Sequence, residues 1–450
     1  MINGLFAILY INNPKDNNYL LQNNPIFFLF LFKSFADMKK RCKIFITGLF
    51  LTVFSLNSVS QEIFTAIKNE DLNAVRRLVN AGTDVNIRDE SDQSTPIIYA
   101  AYVGDIEIVR FLIEKGAKVN AQNNAGITAL IRATLGGHLD IIKYLVDNGA
   151  DVNTGNNDDF TALMAASHEG RMDIVTYMVE KGAEVTANSS DGITALMAAI
   201  NKGHFDIVKY LIERGADVNY KDKETGITPA MTAADRGYFD ILKYLYEKGA
   251  NIKTKNRKKE SALMYAANAG HLEIVRFCNE KGANPDWTNI YGNTALMAAS
   301  ENGHLDVVKY LVETGVKVTK SNNSGVTALM YASEGGHVEI VKHLCEKGAD
   351  VNASNNNGIT ALMFATNAGN IDVIRYLYKK YGADIEAKDK NGVTALMYAA
   401  NNGRLNIVEY LSVYADIEAK DKNGRKAVHY AADDEVKELL IRARNKKKEK

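Results

Sequence analysis

A three-residue phrase returns along this chain about every 33 residues, and it limits the possible folds more than any other feature. It reads Thr128-Ala129-Leu130, Thr161-Ala162-Leu163, Thr194-Ala195-Leu196, Thr228-Pro229-Ala230, Ser261-Ala262-Leu263, Thr294-Ala295-Leu296, Thr327-Ala328-Leu329, Thr360-Ala361-Leu362 and Thr394-Ala395-Leu396. Weaker copies stand at Thr95-Pro96-Ile97 and Lys426-Ala427-Val428. Successive starts are 32 to 34 residues apart, 33 in most steps. A fixed period in this range belongs to a stacked array in which each unit touches only its neighbours. Counting domains by the length of 450 residues would therefore mislead, because the repeats form one elongated domain.

One unit, residues 294–326, shows the chemistry. Thr294 precedes the apolar run Ala295 to Ala299, so its hydroxyl is placed to cap a helix. Pro96 and Pro229 occupy the first helical position, where no N–H is needed. The first helix ends at Gly303. A second begins at His304-Leu305-Asp306, with an acid in its positive first turn. Val307, Val308, Leu311 and Val312 make one apolar face, and Gly315 stops the helix by entering the left-handed region. A polar loop of about ten residues leads to the next phrase. One such pair cannot bury its apolar face, whereas stacked pairs make a continuous core.

These stretches, among them Gly203-His204-Phe205-Asp206-Ile207-Val208-Lys209-Tyr210-Leu211 and Lys347-Gly348-Ala349-Asp350-Val351-Asn352, closely resemble the ankyrin repeat. The resemblance covers roughly residues 61–444. It implies an all-α ankyrin-repeat solenoid of eleven or twelve helix-turn-helix units joined by short hairpin loops. One departure is systematic. The family's Thr-Pro-Leu-His becomes Thr-Ala-Leu-Met here, with Met164, Met197, Met264, Met297, Met330, Met363 and Met397, and only His429 keeps the histidine. Methionine is expected to fill the vacated space as core. Residues 61–94 read as a worn capping repeat, 95–425 as the array, 426–444 as a C-terminal cap and 445–450 as a frayed basic tail. The loop after Leu411 is two residues shorter than in the repeat before it and lacks its glycine, so local irregularity is expected there.

The start of the chain differs in kind. Met38-Lys39-Lys40-Arg41-Cys42-Lys43 is basic, Ile44 to Leu56 is an apolar run of 13 residues, and Ser58-Val59-Ser60 supplies small residues. That is the layout of a secretory signal peptide over 38–60, cleaved between Ser60 and Gln61. The run is shorter than the ~20 residues a membrane span needs. A signal works from the N-terminus, so translation is expected to begin at Met38, with residues 1–37 a non-native leader. A membrane anchor that also uses Ile26–Phe32 is the alternative. The expected location is extracytoplasmic, periplasmic or secreted.

Chemistry is not expected. His138, His204, His271, His304 and His337 form a row, each following a glycine at the start of a second helix. Stacked helices lie about 8–10 Å apart, whereas zinc holds its donors at about 2.0–2.1 Å, so the row cannot share a metal. The family resemblance implies that these rings bond backbone between repeats. Ser and Thr occur at caps, and no nucleophile elbow, phosphate loop or His-Glu-x-x-His stretch is present. Cys278 and Cys345 lie two repeats apart, about 20 Å on the same spacing. A disulfide needs Cα atoms within about 7 Å, so both read as buried free thiols. The formal net charge of zero argues against general attraction to nucleic acid. The reading is a non-enzymatic module without cofactor or metal.

In the ankyrin family the loop tips and the exposed side of the first helices form the concave binding surface. Most tips here are Asn-rich, such as Asn123-Asn124 and Asn355-Asn356-Asn357, and asparagine suits turns for its own reasons. Two adjacent tips differ. One holds Lys255, Arg257, Lys258 and Lys259; the next holds Trp287, the only tryptophan, and Tyr291. Trp, Tyr and Arg dominate binding hot spots. The expected site therefore has Trp287 and Tyr291 as anchors and Lys255, Arg257, Lys258 and Lys259 as an electrostatic rim for an acidic or phosphorylated protein partner. In the alternative arrangement Trp287 folds onto its own hairpin and the lysines are a solvated edge. The function expected is binding of a protein partner outside the cytoplasm. A spacer of the cell envelope and a secreted host-directed effector are the alternatives.

Overall fold

The computed structural model describes residues 61–448. The expected leader, the signal segment and its cleavage lie outside the described residues, in which 61–68 are helical. Twelve helical pairs follow one another, from 61–68 with Leu72–Asn80 to the single 3-10 turn Ala427–His429 with Asp434–Lys448. Among the described residues no strand forms. Isolated antiparallel bridges such as Asn188–Thr194 and Ser354–Thr360 close the hairpins.

The phrase works as its chemistry dictates. The hydroxyls of Thr128, Thr161, Thr194, Thr228, Thr294, Thr327 and Thr360 each accept the amide three residues on, at 3.2–3.4 Å. Thr95, Ser261 and Thr394 start helices without that bond. The methionines that replace the family histidine are buried, Met330 completely, apart from half-buried Met197. His429 keeps its polar role, its Nδ1 accepting the Lys426 amide at 3.0 Å.

The Gly-His pair at the helix junction serves the stack. Gly170 has φ +73°, and a Cβ there would stand 2.5 Å from the His204 ring. The bare glycine lets that ring cross from the next repeat, where Nε2 bonds the His168 carbonyl at 2.9 Å. His271, His304 and His337 repeat the bond to Asp235, Asn268 and Glu301 at 3.0–3.1 Å. Asn370 takes the same place through its amide, at 2.7 Å from the Glu334 carbonyl. His204, His271, His304, His337 and Asn370 are therefore inter-repeat struts. On the opposite side several second helices carry an aromatic ring under a cation from the repeat before. Arg110 lies over Tyr144 at 5.0 Å, Arg276 over Tyr310 at 4.5 Å and Arg375 over Tyr410 at 5.5 Å.

The core runs unbroken from Ile63 to Leu440, so residues 61–448 carry their own core. Neighbouring first helices pack on one another more extensively than neighbouring second helices do, which makes the first-helix side the inner side of the stack. Cys278 and Cys345 are buried free thiols, and burial pushes both up to about 12. The C-terminal end differs from the sequence reading in its tail. Helix Asp434–Lys448 continues through 445–448, part of the tail expected to fray, with Lys447 Nζ on the Ala415 carbonyl at 2.6 Å. After Leu411, where irregularity is expected, the helix ends at Tyr414 and is followed by extended Ala415.

Candidate partner-binding surface

Most tips are bonded to the one before them. The amides of Asn124, Asn157, Ser190, Arg257, Ile290, Asn323 and Asn356 donate to the carbonyls of Asp92, Ala125, Asp158, Thr225, Lys258, Tyr291 and Ser324 at 2.8–3.0 Å. The asparagines divide two tasks. The first of each pair holds its own loop, as when Asn156 Oδ1 accepts the amides of Asp158 and Phe160 at 3.0 and 2.9 Å. The second crosses to the preceding tip, as when Asn157 Nδ2 reaches the Asn124 carbonyl at 2.8 Å and Asn356 the Asn323 carbonyl at 2.9 Å. On either side of the step from Ser190 to Lys223 the tips thus form a rail with fixed register, which the turn preferences of asparagine alone would not supply.

The two unusual tips lie side by side on this rail, joined by the bond from Ile290 to Lys258. Their side chains sort into two groups. Trp287 is half-buried, with the Lys255 ammonium 3.7 Å from its ring centroid. The neighbouring Lys320 Nζ donates to the Asp286 carbonyl at 2.7 Å. Lys255 is thereby committed to the tryptophan within the molecule. The second group faces outward. Tyr291 is 55 % exposed and Ile290 44 %, beside exposed Arg257, Lys258 and Lys259. Arg257 is braced by a guanidinium bond to the Lys223 carbonyl. Ile290 escaped the residue-type argument, because an aliphatic side chain on a tip reads as core until its direction is known.

Lys259 is held at φ +60°, where eight other tips place glycine, among them Gly226 and Gly292. A side chain in that region costs about 1–2 kcal/mol. Beneath the tips, Tyr265 bonds Glu260 at 3.3 Å and receives the Asn256 amide at 3.0 Å. Burial, and then the charge of Glu260, push the Tyr265 hydroxyl up to about 12. Further along the inner face, burial and the charge of Glu334 raise the Glu301 carboxyl above its ordinary range. No helix among the described residues is long and apolar enough to cross a membrane.

A family model described as ankyrin repeats in three copies matches overlapping segments from residue 63 to residue 450. The chain belongs to the ankyrin-repeat family. It is similar, over 67 residues, to M-phase phosphoprotein 8 of Rattus norvegicus (40 % identical) and of Homo sapiens (39 %), in each case across 15 % of this chain and 8 % of that protein. Over 57 residues it is 46 % identical to myotrophin of Xenopus tropicalis, across 13 % of this chain and 48 % of that one. The chain thus spans less than half the length of the relatives it matches. Ankyrin repeats make this array a protein–protein interaction module, in a family whose members are generally binding scaffolds and not enzymes.

Proposed function

We propose that this ankyrin-repeat array works outside the cytoplasm as a scaffold that holds one protein partner at its unusual pair of tips. The observation that carries this reading is the exposed pair Ile290 and Tyr291 flanked by Arg257, Lys258 and Lys259 on a hydrogen-bonded rail. The apolar pair supplies contact area at its centre and the cations an acid-seeking rim. Trp287, already stiffened by Lys255, braces the tip from below and adds its free edge. Because the rail fixes the tips before binding, little ordering entropy is lost on association.

A pull-down with residues 61–450 beside the Ile290→Ala/Tyr291→Ala form, against envelope and culture extracts, tests this. A protein held by the first and released by the second supports the reading; equal retention removes it. The extracytoplasmic location rests on the layout of residues 38–60 and has its own test. N-terminal sequencing of the native protein should begin at Gln61, and a start at Met1 ends that part of the proposal. Uniform, salt-sensitive capture by envelope material would instead favour the spacer, and recovery from the medium the effector.

A further inference from the structure

We infer that the C-terminal end of the array docks on an anionic lipid surface, through a patch on the outer side, away from the tips. The second helices keep one register along the chain. Eight of them end in an acid at the same position: Glu114, Asp147, Glu180, Glu213, Glu247, Glu280, Glu313 and Glu346. In the next two repeats that position holds Lys379 and Val413. An outer edge that is acidic over most of its length becomes basic and apolar at its end.

Three contacts gather this end into one patch. The rings of Tyr378 and Tyr414 lie 5.1 Å apart. Lys379 Nζ stands 5.7 Å from the Tyr414 ring. Lys447 Nζ bonds the carbonyl of Ala415, the next residue, and so brings the basic end of helix Asp434–Lys448 to the same place. The helix reaches Tyr414, and Val413 is 62 % and Tyr414 40 % exposed. Among the described residues no acid pairs with Lys379, Lys380, Lys446, Lys447 or Lys448, and Glu418 at this end is already paired with Lys426.

A protruding valine and tyrosine ringed by lysines form a knob and not a groove. Lysine ammoniums are point charges without the fork that reads single carboxylates. Such a knob suits a diffuse layer of anionic head groups, with the tyrosines at the interface and the valine just below it. The acidic edge of the other repeats would be repelled by the same layer, so the rod stands away from the surface and leaves its tips free.

The test is co-sedimentation of residues 61–450 with phosphatidylcholine vesicles and with vesicles that also contain phosphatidylglycerol. The array should sediment with the second kind only, and high salt should release it. Lys379→Glu and Val413→Glu restore the acid of the other repeats at exposed positions, and each should weaken the binding about tenfold with an unchanged thermal melt. Lys258→Ala/Lys259→Ala, which alters the tips, should leave it intact. The inference is overturned if anionic vesicles are ignored, if the two glutamate variants bind like the parent, if the tip variant is the one that releases, or if polyglutamate is bound in place of vesicles. The tip proposal stands or falls separately.

Discussion

Lys259 marks where a residue works against the fold. Eight other tips place glycine in this left-handed conformation, and Asp159 and Gln93 share the strain without sharing the basic tip. Lys259→Gly should relieve the Cβ clash, less the entropy glycine adds to the unfolded chain, for a gain of roughly 0.5–1 kcal/mol. Denaturant titration reads the gain, and the partner pull-down should show a loss at the same time. Asp159→Gly should stabilise comparably and leave binding alone. A Lys259→Gly form that binds as well as the parent would show that the lysine is not retained for recognition. Protonation gives a second residue-scale expectation. Burial, opposed by neighbouring Glu169, lowers His168, and burial with the charge of Lys347 lowers His343. Both bind protons more readily unfolded than folded. Their stabilisation is complete above the ordinary value of 6.5 and is lost as pH falls below it toward the lowered folded values. Thermal melts from pH 8 to 5 should show that loss, and His343→Gln should reduce it.

Between repeats, the asparagine of the Asp-Val-Asn or Lys-Val-Asn stretch acts as a clamp. Asn120 Nδ2 donates to the Gly149 carbonyl at 2.9 Å while its Oδ1 accepts the Asp151 amide at 3.0 Å. Asn86, Asn153 and Asn219 make the same two bonds, and Asn352 makes one of them to Asp384. Thr319 holds this position one repeat before Asn352 and cannot span both groups. Thr319→Asn should therefore add a clamp to the Gly348 carbonyl and the Asp350 amide. The gain should be about 1 kcal/mol, read as a raised denaturation midpoint, and an unchanged midpoint would mean the loop there cannot adopt the clamp geometry. The elements were legible in the sequence because the period repeats the cap, the acid and the glycine at fixed offsets. It also placed the tips of Lys258 and Tyr291 side by side. It did not show that Lys255 would turn onto Trp287 or that Ile290 would face solvent, because those directions belong to single tips and have no repeated copies to reveal them. Irregularity after Leu411 was expected from the short loop, but the exposed pair Val413 and Tyr414 depends on where the helix stops.

Along the whole molecule the clamps are unevenly spread, and a stack is only as cooperative as its weakest junctions. Residues 86–184 contain three full clamps in succession, at Asn86, Asn120 and Asn153. The three repeats around the unusual tips place Lys253, Asp286 and Thr319 at the clamp position instead. Asp286 leaves Oδ1 buried without a partner, and the bond from Lys320 to the Asp286 carbonyl is one contact in place of two. At about 1 kcal/mol per hydrogen bond, three weakened junctions lower the local opening energy by several kcal/mol relative to the clamped section. Native-state hydrogen exchange should find helices Ala262–Ala269 and Ala295–Glu301 opening more readily than Ala129–Gly136 and Ala162–Glu169, although all four are equally apolar inside. Uniform protection along the array would show that the histidine struts alone set its cooperativity. If the gradient is found, partner binding at the tips should raise protection in residues 251–326 first. The section that gives way most easily is the one that a bound partner would hold together.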